Sequence, residues 1–185
     1  MKGIHKLVTV ATKILQIFHI VGAALMAAAT VCAAIAPQYL GNFVAFDAKD
    51  CCGAELEVYG FEIHAPVVDG MVDKTTFILF GMGASLLLVL MTVVFHHLHW
   101  IFKSSENRTP FHPETIRRMK AIGFLTIAVP LVGLLMSAII RLVTGLETVE
   151  ISLNLGGILT GILVLCLTQF FVHGAALEND VDGLL

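Results

Sequence analysis

Between Lys120 and Arg141 the chain reads AIGFLTIAVPLVGLLMSAII, residues 121–140, without one charged side chain. About 20 helical residues rise roughly 30 Å, the thickness of a bilayer's hydrocarbon core. The run is apolar on every face and lacks the two-residue alternation of a membrane barrel, so a helix is the element that satisfies its backbone in lipid. Pro130 falls inside it and predicts a kink. Three further runs share this character: 14–36, stopped by Pro37; 77–102; and 155–172. Composition agrees. Of 185 residues, 57% are apolar and 14% charged, the latter about half a soluble domain's share, and the mean hydropathy is +0.90. These values exclude a disordered chain, a collagen-like fibre and a nucleic-acid-coating tail. A net charge of −3 gives no reason to expect a polyanionic partner. The expected fold is all-α: one domain, residues 1–185, an integral membrane bundle of four transmembrane helices.

The first run also has features of a signal peptide, with Lys2, Lys6 and Lys13 ahead of it and Ala34-Ile35-Ala36 at its end. Its apolar stretch exceeds the usual 7–15 residues of such a segment, and Pro37 would follow the cut. A retained anchor is expected. Orientation follows from Lys and Arg placement. Lys2, Lys6, Lys13, Lys103, Arg108, Arg117, Arg118 and Lys120 flank one side of the spans, while Lys49, Lys74 and Arg141 flank the other. Both termini are therefore expected in the cytoplasm, with residues 37–75 outside and the 103–120 connection inside. The expected location is a bacterial plasma membrane.

In the external loop, Leu56-Glu57-Val58-Tyr59-Gly60-Phe61-Glu62-Ile63 alternates apolar and polar on either side of Gly60. That pattern predicts one bulged strand or a small hairpin, forming an extracytoplasmic cap between the first two helices. A structured lid is the plainer reading and a ligand sensor the sharper one. Cys51 and Cys52 lie where disulfides are permitted, although neighbouring cysteines close a strained ring. Cys32 and Cys166 lie within spans and read as small hydrophobes. No C-x-x-C or zinc-ligand spacing occurs.

The cytoplasmic connection carries a turn at Asn107-Arg108-Thr109-Pro110-Phe111-His112-Pro113. Pro113 suits the first position of a helix, and Glu114 opposes the positive end of its dipole. Asn107-Arg108-Thr109 matches a glycosylation sequon but faces the cytoplasm.

Eight histidines are present. His96, His97 and His99 end the second span, His173 ends the fourth, and His19 lies just inside the first. His96 and His99, three residues apart, share a helix face and could ligate one metal. A haem between His19 and His96 or His97 is geometrically conceivable. The plainer reading is interfacial hydrogen bonding beside Trp100, and no cofactor is expected. Gln16 and His19, polar within a span, are expected to face the bundle interior and bond between helices. Close helix contacts are permitted where small residues recur at four-residue spacing: Gly157 and Gly161, Gly133 and Ser137, Gly81 and Ser85, Ala29 and Ala33. There is no G-x-S-x-G, H-E-x-x-H, Walker loop or pair of acids inside a span. No enzymatic activity is expected.

Two cytoplasmic segments carry a resemblance. One runs from Asn107-Arg108-Thr109-Pro110-Phe111 to Ile116-Arg117-Arg118-Met119-Lys120-Ala121-Ile122-Gly123. The other is Phe171-Val172-His173-Gly174-Ala175-Ala176-Leu177-Glu178-Asn179-Asp180-Val181-Asp182-Gly183. Both resemble a bacterial family of small four-span membrane proteins, domain of unknown function twenty-nine seventy-five. The cysteine pair and histidine cluster depart from that family's pattern. The resemblance implies partnership with a small Xre-type helix-turn-helix regulator, often encoded beside such proteins, and it supplies no catalytic residues. Arg117, Arg118 and Lys120 with Glu178, Asp180 and Asp182 would then form the partner-binding surface, matched in charge. The expected partners are the lipid bilayer and such a regulator, with a homo-oligomer also allowed and no direct nucleic-acid contact. A small transporter or channel subunit is the alternative function, resting on Gln16, His19 and Pro130. A haem- or metal-binding redox protein is the second alternative.

Overall fold

A computed structural model of the chain describes residues 2–36, 38, 54–65, 67–68, 71–105, 111–145 and 154–182. The elements in order are α1 (Lys2–Ile35), β1 (Ala54–Val58), β2 (Phe61–Ala65), β3 (Val67–Val68), β4 (Met71–Val72), α2 (Lys74–Ser104), α3 (Pro113–Thr144) and α4 (Leu155–Asp182). The architecture is all-α apart from two short antiparallel hairpins, β1-β2 and β3-β4. All four helices are long and apolar enough to cross a membrane. Cys51, Cys52 and the turn at Asn107–Pro110 lie outside the described residues.

Three helices extend well past the apolar runs that announce them. α1 starts at Lys2 rather than residue 14, α3 starts at Pro113 rather than 121, and α4 ends at Asp182 rather than 172. Lys, Arg and Glu are good helix formers, so hydropathy marks the part suited to lipid and not the hydrogen-bonded helix. The ends are set by local chemistry. Asp73 caps α2, its Oδ2 accepting from the Thr76 amide and hydroxyl at 2.9 Å each. His112 caps α3, its Nδ1 accepting from the Glu114 amide at 3.2 Å, with Pro113 as the first helical residue. Gly145, at φ +66°, closes α3 and donates to the Arg141 carbonyl. Pro130 is accommodated within α3 and buried there.

The chain forms two compact units. The first is Met1–His19, Leu90–Ala128 and Leu155–Leu185; the second is Ile20–Val89 and Val129–Asn154. In the second unit β1 and β2 pair in register, Leu56 opposite Ile63 and Val58 opposite Phe61. Tyr59 (φ +56°) and Gly60 (φ +78°) form the two-residue turn. Positive φ at both positions gives the turn whose twist suits a hairpin. Of the two expectations for this segment, the hairpin is the one that forms. Tyr59 is partly buried, which raises its phenol above the usual pKa. The period of two puts Leu56, Val58, Phe61 and Ile63 on one face, with Glu57 and Glu62 on the other. Phe61 and Ile63 are fully buried. The Phe61 ring stacks on Phe80 of α2 at 5.1 Å between centroids. A Cβ added to Gly83 would stand 2.8 Å from Phe61 Cε1, and one on Gly133 would stand 3.4 Å from Phe61 Cβ. The glycine on α2 thus makes room for the Phe61 ring, and the one on α3 lies beside the Phe61 Cβ. On α1, Thr30 fills the space that a Gly81 side chain would need.

In the first unit α3 and α4 meet through Gly123 and Gly161. A Cβ on Gly161 would run into Ile127 and lie 2.8 Å from the Gly123 carbonyl. Hydroxyls within the apolar stretches bond back to their own helix: Thr12 to Val8, Thr126 to Ile122 and Thr168 to Val164.

Exposure runs opposite to that of a soluble protein. Phe18, Leu25, Phe124, Leu142 and Phe170 are 63–86% exposed, whereas Thr12, Gln16, His19, Ser137 and Thr168 are buried. Such a surface is stable only where the surrounding solvent is itself apolar. Cys166 belongs to this outward surface and Cys32 is half-buried. The reading of both as small hydrophobes within spans does not distinguish them; the facing of α4 does.

Candidate functional site

The polar groups of the first unit are organised along α1 and α2. Lys13 Nζ donates to Gln16 Oε1 at 3.1 Å, which identifies the other amide atom of Gln16 as its nitrogen. That nitrogen lies 3.3 Å from His96 Nδ1. An amide nitrogen only donates, so Nδ1 accepts and the hydrogen of the His96 ring sits on Nε2. His99 Nδ1 donates to the Thr9 carbonyl at 3.1 Å. Ser105 Oγ spends its hydrogen on the Phe102 carbonyl and accepts from His5 Nε2 at 2.6 Å. His19 is buried; its Nδ1 donates to the Leu15 carbonyl of its own helix at 2.7 Å, and its ring lies 4.9 Å from that of Phe95. Gln16 thus bonds between helices, and the His19 ring packs across on α2.

A second node joins α2 to α3. Arg118 Nη1 donates to His97 Nδ1 at 3.1 Å, its guanidinium stacks 3.9 Å over the Trp100 ring, and it pairs with Glu114 at 3.0 Å. Its side chain is 19% exposed. A planar guanidinium can bond in its plane and stack on its face at once, and Arg118 uses both. Arg117 shares Glu114 at 3.0 Å yet stays 77% exposed. Lys120 is exposed as well.

The third juxtaposition brings the start of α3 to the end of α4. The Phe111 and Phe171 rings are 5.9 Å apart, and Phe111 also occupies the space beside Gly174 where a side chain would otherwise stand. Glu178 is half-buried and Asp180 exposed on the following turns. The side chain of Asp182 lies outside the described residues. His173 is exposed on α4. Of the six proposed partner-binding residues, Arg117, Arg118 and Lys120 stand on α3 and Glu178, Asp180 and Asp182 on α4, and Arg118 is tied to α2.

The histidines do not converge. His96 and His99 share a face, but their Nδ1 atoms reach two different residues of α1, and that of His97 reaches α3. Among the described residues, no three His, Cys, Asp or Glu side chains are placed to hold a metal ion. Sequence reasoning missed Lys13, Thr9, Glu114 and Trp100 as members of these networks. A signal for part of this was present: His5, Thr9, Thr12, Gln16 and His19 follow steps of four and three residues, the period of a helix seam. The partners across that seam depend on tertiary structure alone.

Four long apolar helices, apolar outside and hydrogen-bonded within, define a multi-pass membrane protein. No protein-family model, curated protein or solved structure matches the chain.

Proposed function

We propose that this chain is a non-enzymatic regulatory protein of a bacterial plasma membrane that holds a soluble helix-turn-helix transcriptional regulator at the cytoplasmic face. The observation that carries the reading is the contact of Phe111 with Phe171 and Gly174. It makes neighbours of the two segments richest in cytoplasmic charge, and the same two segments carry the family resemblance. Arg117 and Lys120 supply outward positive charge, Glu178 and Asp180 negative charge, with Asp182 on the last helical turn. Charges of both signs on these two segments favour a protein partner, whose own charges can be complementary, over a uniformly anionic membrane. Arg118 contributes indirectly: by stacking on Trp100 and bonding His97 it fixes α3 against α2. The cytoplasmic placement of this face rests on the Lys and Arg distribution.

The test has two arms. Alkaline phosphatase fused after Leu56 is expected to be active and after Asn107 inactive; the reverse would invert the face. The full chain is expected to co-purify with a regulator encoded beside it, and Glu178→Gln with Asp180→Asn and Asp182→Asn is expected to lower retention about tenfold without loss of membrane insertion. If wild type retains no regulator, or the variant retains as much, the docking surface is wrong.

A further inference from the structure

Helices α1 and α2 carry no acidic residue along their entire lengths, Lys2–Ile35 and Lys74–Ser104. Their cations in the first unit therefore have no carboxylate on either helix to neutralise them. Lys13 directly precedes the apolar run that begins at Ile14, and His96 lies in the last two turns of the run 77–102. Both side chains are exposed. They are also tied together, because Gln16, itself 7% exposed, accepts from Lys13 and donates to His96.

Their surroundings show what they face. Val10 and Ile17, three residues before and four after Lys13, share its helix face and are 57% and 50% exposed. Val93 precedes His96 by three residues and is 37% exposed. An ammonium and an imidazole, joined through Gln16, therefore emerge within outward apolar surface. A water-facing site would not be bordered by exposed valine and isoleucine, and an acyl chain alone would leave the charge unmatched. Farther along the same faces lie Lys6 and Lys103, one seven-residue step beyond Lys13 and His96, and both are exposed.

We infer that Lys13 and His96, held in position by Gln16, bind the phosphate of an anionic phospholipid whose acyl chains lie along the exposed apolar faces of α1 and α2. Lys13 supplies the charge. His96 donates from Nε2, the atom left free to do so because Nδ1 accepts from Gln16. This assignment does not depend on the partner-docking surface, which uses α3 and α4.

The full chain, purified in detergent and mixed with phosphatidylglycerol and phosphatidylcholine of matched acyl chains, tests it by native mass spectrometry. Wild type is expected to retain phosphatidylglycerol about fivefold over phosphatidylcholine, the preference that one interfacial cation can supply. Lys13→Gln should erase the preference, Lys13→Arg restore it, and Lys13→Glu reverse it. Lys6→Gln, about 10 Å farther along the helix, should change it by less than about twofold. Inorganic phosphate should not displace the bound lipid; displacement would reassign the pair to a soluble anion and overturn the lipid assignment. Equal retention of both lipids by wild type, an undiminished preference in Lys13→Gln, or a second copy of the chain covering this face would overturn it as well.

Discussion

In the first unit α1 meets α2 through polar atoms: His5 on Ser105, the Thr9 carbonyl on His99, Gln16 on His96. In the second unit the same two helices meet inside the protein through size, Thr30 where Gly81 lacks a side chain and Leu88 beside Gly22, and the bond from Lys74 Nζ to the Ala34 carbonyl is an exposed one at the helix ends. The difference separates two tasks. A hydrogen bond requires one donor to find one acceptor, so it fixes how a helix is rotated and registered against its neighbour. A glycine sets only how near two backbones approach. Lipid gives no hydrophobic drive to either contact, because its chains are as apolar as leucine. The energy of the second unit must therefore come from packing, and that of the first is shared between packing and a few hydrogen bonds.

The comparison is broken most strongly at Phe61. Its ring is 1% exposed, stacked on Phe80 and bordered by Gly83 and Gly133. Phe61→Ala removes the ring that fills that space, and the cavity cannot close without moving α2 or α3. A loss of roughly 3–5 kcal/mol is expected, measured by reversible unfolding in mixed micelles. A loss under about 1 kcal/mol would mean that the second unit does not rest on this ring. Gly83→Ala should cost less, since its Cβ meets the edge of a ring and not backbone.

The fold and the contacts were unequally legible in the sequence. Apolar runs located all four helices because lipid compatibility is a local property of about 20 consecutive residues. The alternation about Gly60 marked the hairpin because strand facing is local too. Phe61 was indistinguishable from Leu56 or Val58, since its importance depends on Phe80 and Gly83 of a distant helix. Arg118 looked like its neighbours Arg117 and Lys120. Only the positions of Trp100 and His97 on another helix make it an internal strut and leave the other two outside. Cys166 and Cys32 likewise looked equivalent until the facing of their helices was known.

In the first unit the counterpart of Phe61 is the glycine contact of α3 and α4. Gly161→Ala would place a methyl against Ile127 and 2.8 Å from the Gly123 carbonyl. Ile127 can shift its rotamer, but the carbonyl belongs to helical backbone and cannot move without the helix. Overpacking of this kind costs about 1–3 kcal/mol. The same unfolding assay should show that cost with Gly161→Ala and nothing comparable with Gly156→Ala, whose position on α4 is exposed. Equal effects would assign the loss to α4 generally and not to the close approach.

The smallest effect is expected where polar chemistry is most conspicuous. Gln16→Leu removes the acceptor of Lys13 and the donor to His96, yet keeps a side chain of similar volume in a buried position. Interhelical hydrogen bonds in membranes contribute about 0.6 kcal/mol on average and rarely more than about 1.7, because the separated helices find other partners. Lys13 and His96 are both exposed, so each can turn to headgroups when Gln16 is lost, and neither is left as an unpaired buried group. A loss of about 0.5–1 kcal/mol is therefore expected. Rotational freedom should respond more than stability. Paired cysteine replacements at Thr9 and His99, which lie opposite in the seam, should cross-link uniformly in wild-type background. With Gln16→Leu the same pair should cross-link more slowly, and yield should spread to positions one residue away. An unchanged cross-linking pattern would show that size fixes this interface too, as it does the buried contacts of the second unit, and the contrast between the two would disappear.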